Sequence, residues 1–145
     1  MRDEVIAKSN LRACMRAESW QDAVRAAGSV LLEAGSIEPA YIDAMVAAVV
    51  ELGPYMAIMP GLAIAHAAPG KFILKNDIAL INLASPVNFG SENDPISVLL
   101  CQSCLDSKSH LASMRRAALV LAGEGVVEKL AAAKTADELY AIMNA

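Results

Sequence analysis

Two rhythms of apolar residues divide the chain. Trp20, Ala23, Val24, Ala27, Val30 and Leu31 recur at helical spacing behind Ser19, and Ser19-Trp20-Gln21-Asp22 has the form of a capping box with Asp in place of Glu. This helix should end at Gly35, and the small side chains of Ala26-Ala27-Gly28 within it would let a neighbouring element pack closely. Pro39 suits the first turn of a second helix, which carries Ile42, Met45, Val46, Val49 and Val50 on one side and stops at Gly53-Pro54. Helical spacing returns late in the chain. Ser107 or Ser109 would cap a helix running to Leu121, a short one begins at Val126, and Thr135-Ala136-Asp137-Glu138 caps the last from Ala136.

The second rhythm is short and strand-like. Residues 11–15 alternate briefly, and residues 55–59 and 62–65 predict two short strands around the turn signal Pro60-Gly61. Residues 71–76 form a more polar connection. Ile78-Ala79-Leu80-Ile81-Asn82-Leu83 is apolar nearly throughout, as a central strand buried on both faces would be, and residues 96–100 repeat the pattern. Residues 85–95 are rich in breakers and predict a loop. Helices alternating with buried strands predict an α/β fold, a mixed sheet of about five strands flanked by helices on both sides.

Composition narrows the setting. A chain of 145 residues with no evident linker or repeat fits one domain over residues 1–145. It is 56% apolar, so a membrane span has to be weighed. The most apolar region, residues 46–68, contains Glu51, His66, Gly53-Pro54 and Pro60-Gly61, and so cannot be one spanning helix of roughly 20 residues. Met1-Arg2-Asp3-Glu4 opens without an apolar secretory core, which predicts a cytoplasmic protein. The net charge of -4, with its cations scattered, gives no basic stripe for nucleic acid and favours protein or small-molecule partners. The alanine-rich, apolar composition is compatible with a homodimer.

Three cysteines, Cys14, Cys101 and Cys104, suit reduced cytosolic thiols. Cys101-Gln102-Ser103-Cys104 has the spacing of a redox pair or of half a zinc site, yet Cys101 continues an apolar run and only His110 lies nearby as a further ligand. No metal or cofactor is expected.

The two histidines carry the candidate chemistry. His66 closes Gly61-Leu62-Ala63-Ile64-Ala65, where a strand emerges into a loop that would hold its backbone while leaving the imidazole accessible. A structural strand-end histidine would look the same. His110 would lie in the first turn of its helix, where an imidazole is discouraged from protonating and an anion is favoured, or it is a plain exposed residue of a polar run. If the two converge at one sheet edge, they suggest phosphoryl chemistry, one imidazole carrying the group and the other helping to stabilise its oxygens.

Residues 41–67, with Gly53-Pro54-Tyr55 and Pro60-Gly61-Leu62-Ala63-Ile64-Ala65-His66-Ala67, resemble the active-site region of the enzyme IIA components of the sugar phosphotransferase system, fructose-mannitol superfamily. Pro86-Val87-Asn88-Phe89-Gly90 with Asn93-Asp94-Pro95 is similar to the ascorbate-specific branch, and the stretch from Val98 to His110-Leu111 to the strand and helix that bring in the family's second histidine. The likeness runs over nearly the whole chain. It implies that His66 takes a phosphoryl group from the phosphohistidine of HPr and passes it to a cysteine of a IIB component, and through that to a membrane IIC component. His110 would be the supporting residue. Ascorbate or a related sugar is the implied cargo, and the likeness makes the chain a phosphotransferase with a phosphohistidine intermediate. A regulatory IIA-like module that signals by binding a partner, and a non-enzymatic α/β binding domain, are the alternatives.

The chain departs from the pattern in two places. Ala65 stands where many relatives have Pro before the active histidine. Val50-Glu51 stands where mannitol-type members have Arg-Glu, so no arginine is available there to hold phosphoryl oxygens.

Overall fold

The computed structural model describes residues 4–67, 72–106 and 111–144. Five strands form one mixed sheet: β1 (Leu11–Met15), β2 (Ala57–Met59), β3 (Leu62–Ala65), β4 (Asp77–Val87) and β5 (Ile96–Ser103), in the order β1-β4-β5-β3-β2. β3 runs parallel to β5 with Ala65 opposite Cys101, β1 runs parallel to β4, and the β4–β5 and β2–β3 pairs are antiparallel. The parallel β3–β5 pair brings the ends of both strands to the same side of the sheet, and His66 leaves β3 there.

Among the described residues the α-helices are α1 (Trp20–Glu33), α2 (Pro39–Leu52), α3 (Leu111–Leu121), α4 (Val126–Ala132) and α5 (Ala136–Met143). They cover both faces, as expected for central strands that are apolar on both sides. On one face Ala79, Ile81 and Leu83 of β4 and Leu99 and Cys101 of β5 pack with Val24 and Leu31 of α1 and Met45 and Val49 of α2. On the other, Ile78, Leu80, Val98 and Leu100 pack with Leu121, Val127, Leu130, Leu139 and Met143 of the last three helices. The period of two sorts β4 residue by residue between these two cores.

The caps predicted at Ser19 and Thr135 form, while that at Ser107 or Ser109 lies outside the described residues. The Ser19 side chain accepts from the Asp22 amide and the Asp22 carboxylate accepts from the Glu18 amide; Thr135 and Glu138 repeat this at α5. Gly28 is where α1 meets α2: a Cβ placed there would lie 2.8 Å from Ile42 Cγ1.

Several boundaries differ from expectation. The chain before β2 turns at Gly53, φ +90, and the Tyr55 amide bonds the Gly53 carbonyl, so the expected strand over residues 55–59 begins only at Ala57. β4 continues through Ser85-Pro86-Val87, which the sequence assigns to a loop. Val87 pairs Ile96 across an irregularity, while Ala84, Ser85 and Pro86 stand exposed, a setting that tolerates a proline without a ladder bond. β5 likewise extends to Ser103, and a 3-10 turn, Lys8–Asn10, precedes β1.

Candidate active site

His66 follows the last residue of β3 and is half-buried. Its ring turns back along its own strand, with Nδ1 2.8 Å from the Ile64 carbonyl oxygen. A carbonyl oxygen can only accept, so the neutral imidazole carries its proton on Nδ1 and its lone pair on Nε2. The local chain thus fixes the tautomer and directs the basic nitrogen away from the strand.

Two tyrosines hold the next peptide unit. Tyr55 donates its hydroxyl to the His66 carbonyl at 2.7 Å, and its ring meets the imidazole edge to face, with centroids 5.0 Å apart at 89°. The Ala67 amide, the other end of the same peptide, donates to the Tyr41 hydroxyl at 3.0 Å. Tyr41 in turn donates to the Gln102 carbonyl of β5 at 3.1 Å. Burial is the main reason both phenols ionise above their ordinary range, Tyr41 far above it, so both hydroxyls keep their protons. Tyr41 lies in the first turn of α2 and Tyr55 three residues past its end, so the two contacts come from the start of the helix and from the turn that leaves it.

Val50 and Glu51, at the positions of the arginine and glutamate expected by resemblance, stand on the outer side of α2; Val50 is 73% exposed. His110, the second candidate, lies outside the described residues, as do Ser107 and Ser109. Cys101 is fully buried in β5 with its sulfur 3.9 Å from Met45 Sδ. Burial, then the charge of Asp77, pushes its thiol up to about 12, and burial raises that of Cys104 too. A redox pair needs an accessible thiolate, and this spacing supplies packing instead. Among the described residues no cluster of three His, Cys, Asp or Glu side chains is placed to hold a metal ion, and no helix is long and apolar enough to cross a membrane.

Sequence reasoning names Tyr41 and Tyr55 only as parts of a motif. Their distinguishing feature is a hydroxyl aimed at a peptide unit 11 or 26 residues away, which no local pattern encodes.

The chain as a whole is similar to known proteins. Residues 4–145 match the family described as phosphoenolpyruvate-dependent sugar phosphotransferase system, EIIA 2. An ascorbate-specific PTS system EIIA component of Shigella boydii is 36% identical over 111 residues, 76% of this chain and 72% of that protein. One of the same description from Salmonella choleraesuis is 30% identical over 146 residues, 99% and 95% of the two. The solution structure of a mannitol-specific cryptic phosphotransferase enzyme IIA of Escherichia coli superposes with a TM-score of 0.85 at 29% identity, covering 96% of this chain and 95% of that one. The mixed five-stranded sheet and the match over nearly every residue agree: the chain belongs to the EIIA 2 family of the phosphoenolpyruvate-dependent sugar phosphotransferase system and is one of its phosphoryl carriers.

Proposed function

We propose that Nε2 of His66 is the atom that carries the phosphoryl group. The observation that supports this is the 2.8 Å bond from Nδ1 to the Ile64 carbonyl, which leaves Nε2 as the basic ring nitrogen. The donor is the phosphohistidine of HPr. As the lone pair of Nε2 forms its N–P bond, the N–P bond to the donor imidazole breaks and that electron pair returns to the donor ring. The Nδ1 proton stays in place, and the Ile64 carbonyl faces the positive charge that the phosphorylated ring acquires. A cysteine thiolate of a IIB component then takes the group by forming an S–P bond, restoring the neutral ring and feeding a membrane IIC component. Little covalent chemistry is asked of the protein beyond alignment of the transfer.

The relatives that are named ascorbate-specific support ascorbate as the transported sugar. The supporting role goes to His110 on the resemblance of its stretch of sequence to the one that carries the family's second histidine. Incubation with phosphoenolpyruvate, enzyme I and HPr is expected to add one acid-labile phosphate to the wild-type chain and none to His66→Gln. Label that persists in the variant overturns the assignment.

A further inference from the structure

The peptide unit between His66 and Ala67 is held at both ends by side-chain hydroxyls. Its carbonyl accepts from Tyr55 at 2.7 Å and its amide donates to Tyr41 at 3.0 Å. Those two contacts fix the rotation of the main chain just after the histidine. The Tyr55 ring also abuts the imidazole edge to face, so a single side chain restrains both the backbone and the ring of the same residue. Nothing regular would do this otherwise, because β3 ends at Ala65 and His66 lies beyond its ladder.

We propose that Tyr55 is a positioning residue for phosphoryl transfer: with Tyr41 it clamps the His66–Ala67 peptide, and with its own ring it keeps the imidazole seated on the Ile64 carbonyl, so that only Nε2 faces the donor. This rests on His66 being the phosphoryl acceptor. The physical logic is one of competing tautomers. A free neutral imidazole exchanges its proton between its nitrogens, and a surface ring also rotates among side-chain wells. The bond to Ile64 selects one tautomer only while the ring stays over its own strand. That bond spans two residues of a strand end, and it breaks if either the main chain after His66 or the ring turns. Tyr55 opposes both movements. A reacting atom displaced by about 1 Å can lower a transfer rate by up to 100-fold, so a restraint of this kind acts on the rate of transfer and not on the encounter with the donor protein.

Tyr55 is half-buried, lies outside the regular elements and packs on the edge of the core beneath α1 and α2 without being one of its buried members, so packing and positioning have to be told apart by the choice of variant and readout. Tyr55→Phe keeps the ring contact and loses the hydroxyl; Tyr55→Leu loses both. Two readouts separate positioning from packing. The first is nitrogen NMR of the unphosphorylated chain above the imidazole pKa, with the His66 signals identified by their loss in His66→Gln. Wild type is expected to show the Nδ1–H tautomer alone and Tyr55→Leu a mixture of both. The second is phosphorylation by phospho-HPr, where kcat is expected to fall about threefold in Tyr55→Phe and tenfold or more in Tyr55→Leu, with KM within twofold of wild type. A folded Tyr55→Leu chain that keeps the single tautomer and the wild-type kcat overturns the proposal. Should Tyr55→Leu fail to fold, an unchanged kcat in Tyr55→Phe does so. The tautomer measurement needs no phosphate, so it still decides the role of Tyr55 if labelling shows that another residue is the acceptor.

Discussion

Asn82 and His66 are both polar side chains borne on or beside central strands of one sheet, and they differ in how completely the fold uses them. Asn82 sits mid-way along β4, 1% exposed, with every proton committed: its Oδ1 accepts from the Cys14 amide at 2.6 Å and its Nδ2 donates to the Leu130 and Ala133 carbonyls at 2.7 Å each. It fastens the end of α4 to the sheet and supports the irregularity of β1 at Cys14, where φ is +58. His66 has one ring nitrogen committed and, among the described residues, no hydrogen-bond partner for the other. A buried polar group must be satisfied or it destabilises the fold; a group at a strand end, partly open to water, can keep a lone pair in reserve. That reserve separates a fastening from a site.

The sharpest break between the two is a pair of single replacements. His66→Gln is expected to remove phosphate incorporation entirely while shifting Tm by no more than a few degrees, since glutamine preserves polarity at a half-open position. Asn82→Ala should do the reverse. It strands one buried amide and two carbonyls, which costs about 3 kcal/mol, or roughly 10 °C in Tm, while the folded fraction still accepts phosphate at the wild-type rate. Thermal unfolding and labelling on the same samples check both. If Asn82→Ala slows transfer as much as it lowers Tm, fastening and site are not separable in this fold.

Tyr41 stands between them. It is as buried as Asn82, at 1% exposure, but its hydroxyl partners are the Ala67 amide beside the histidine and the Gln102 carbonyl on β5. Tyr41→Phe should therefore move both readouts: about 1.5 kcal/mol of stability for two unsatisfied main-chain groups, and about threefold in transfer rate as the His66–Ala67 peptide loosens. Loss of stability with an unchanged rate would place Tyr41 wholly with Asn82.

How much can be read from the sequence depends on the range of the contacts involved. The capping boxes at Ser19 and Thr135, the close approach at Gly28, and the two apolar strands around Leu80 and Leu99 are encoded within a few residues, and local pattern finds them. The strand end at His66 is legible for the same reason. Tyr41, Tyr55 and Asn82 act across the fold. Asn82 lies in an apolar run like any polar interruption of a strand, and only the return of α4 over β4 shows what its amide is for. The extension of β4 through Pro86 is hidden by its composition, which favours a loop until Ile96 supplies a pairing partner.

Asp94 tests the same distinction where charge replaces burial. Its carboxylate faces three backbone amides of one loop, those of Phe89, Gly90 and Ser91, at 2.8–2.9 Å. What little burial it has works against the charged form, but the amides outweigh it and hold the carboxyl below its ordinary 3.8. A carboxylate whose folded pKa is depressed contributes stability that is present above its unfolded pKa, near 4, and disappears as pH falls through the lower folded value. Asp94→Asn should thus lower Tm slightly at pH 7, by about 2 °C for so solvated a group, and by progressively less as the pH falls from about 4 through the lower folded value, below which the wild-type acid is itself neutral. Phosphate acceptance should be unchanged at pH 7. Melting curves from pH 7 to pH 2.5 check the sign: a gap between variant and wild type that widens toward low pH would mean that the loop does not favour the charged carboxylate. A gap that closes places Asp94 with Asn82, as a polar group whose bonding capacity is used by the fold and leaves none for chemistry.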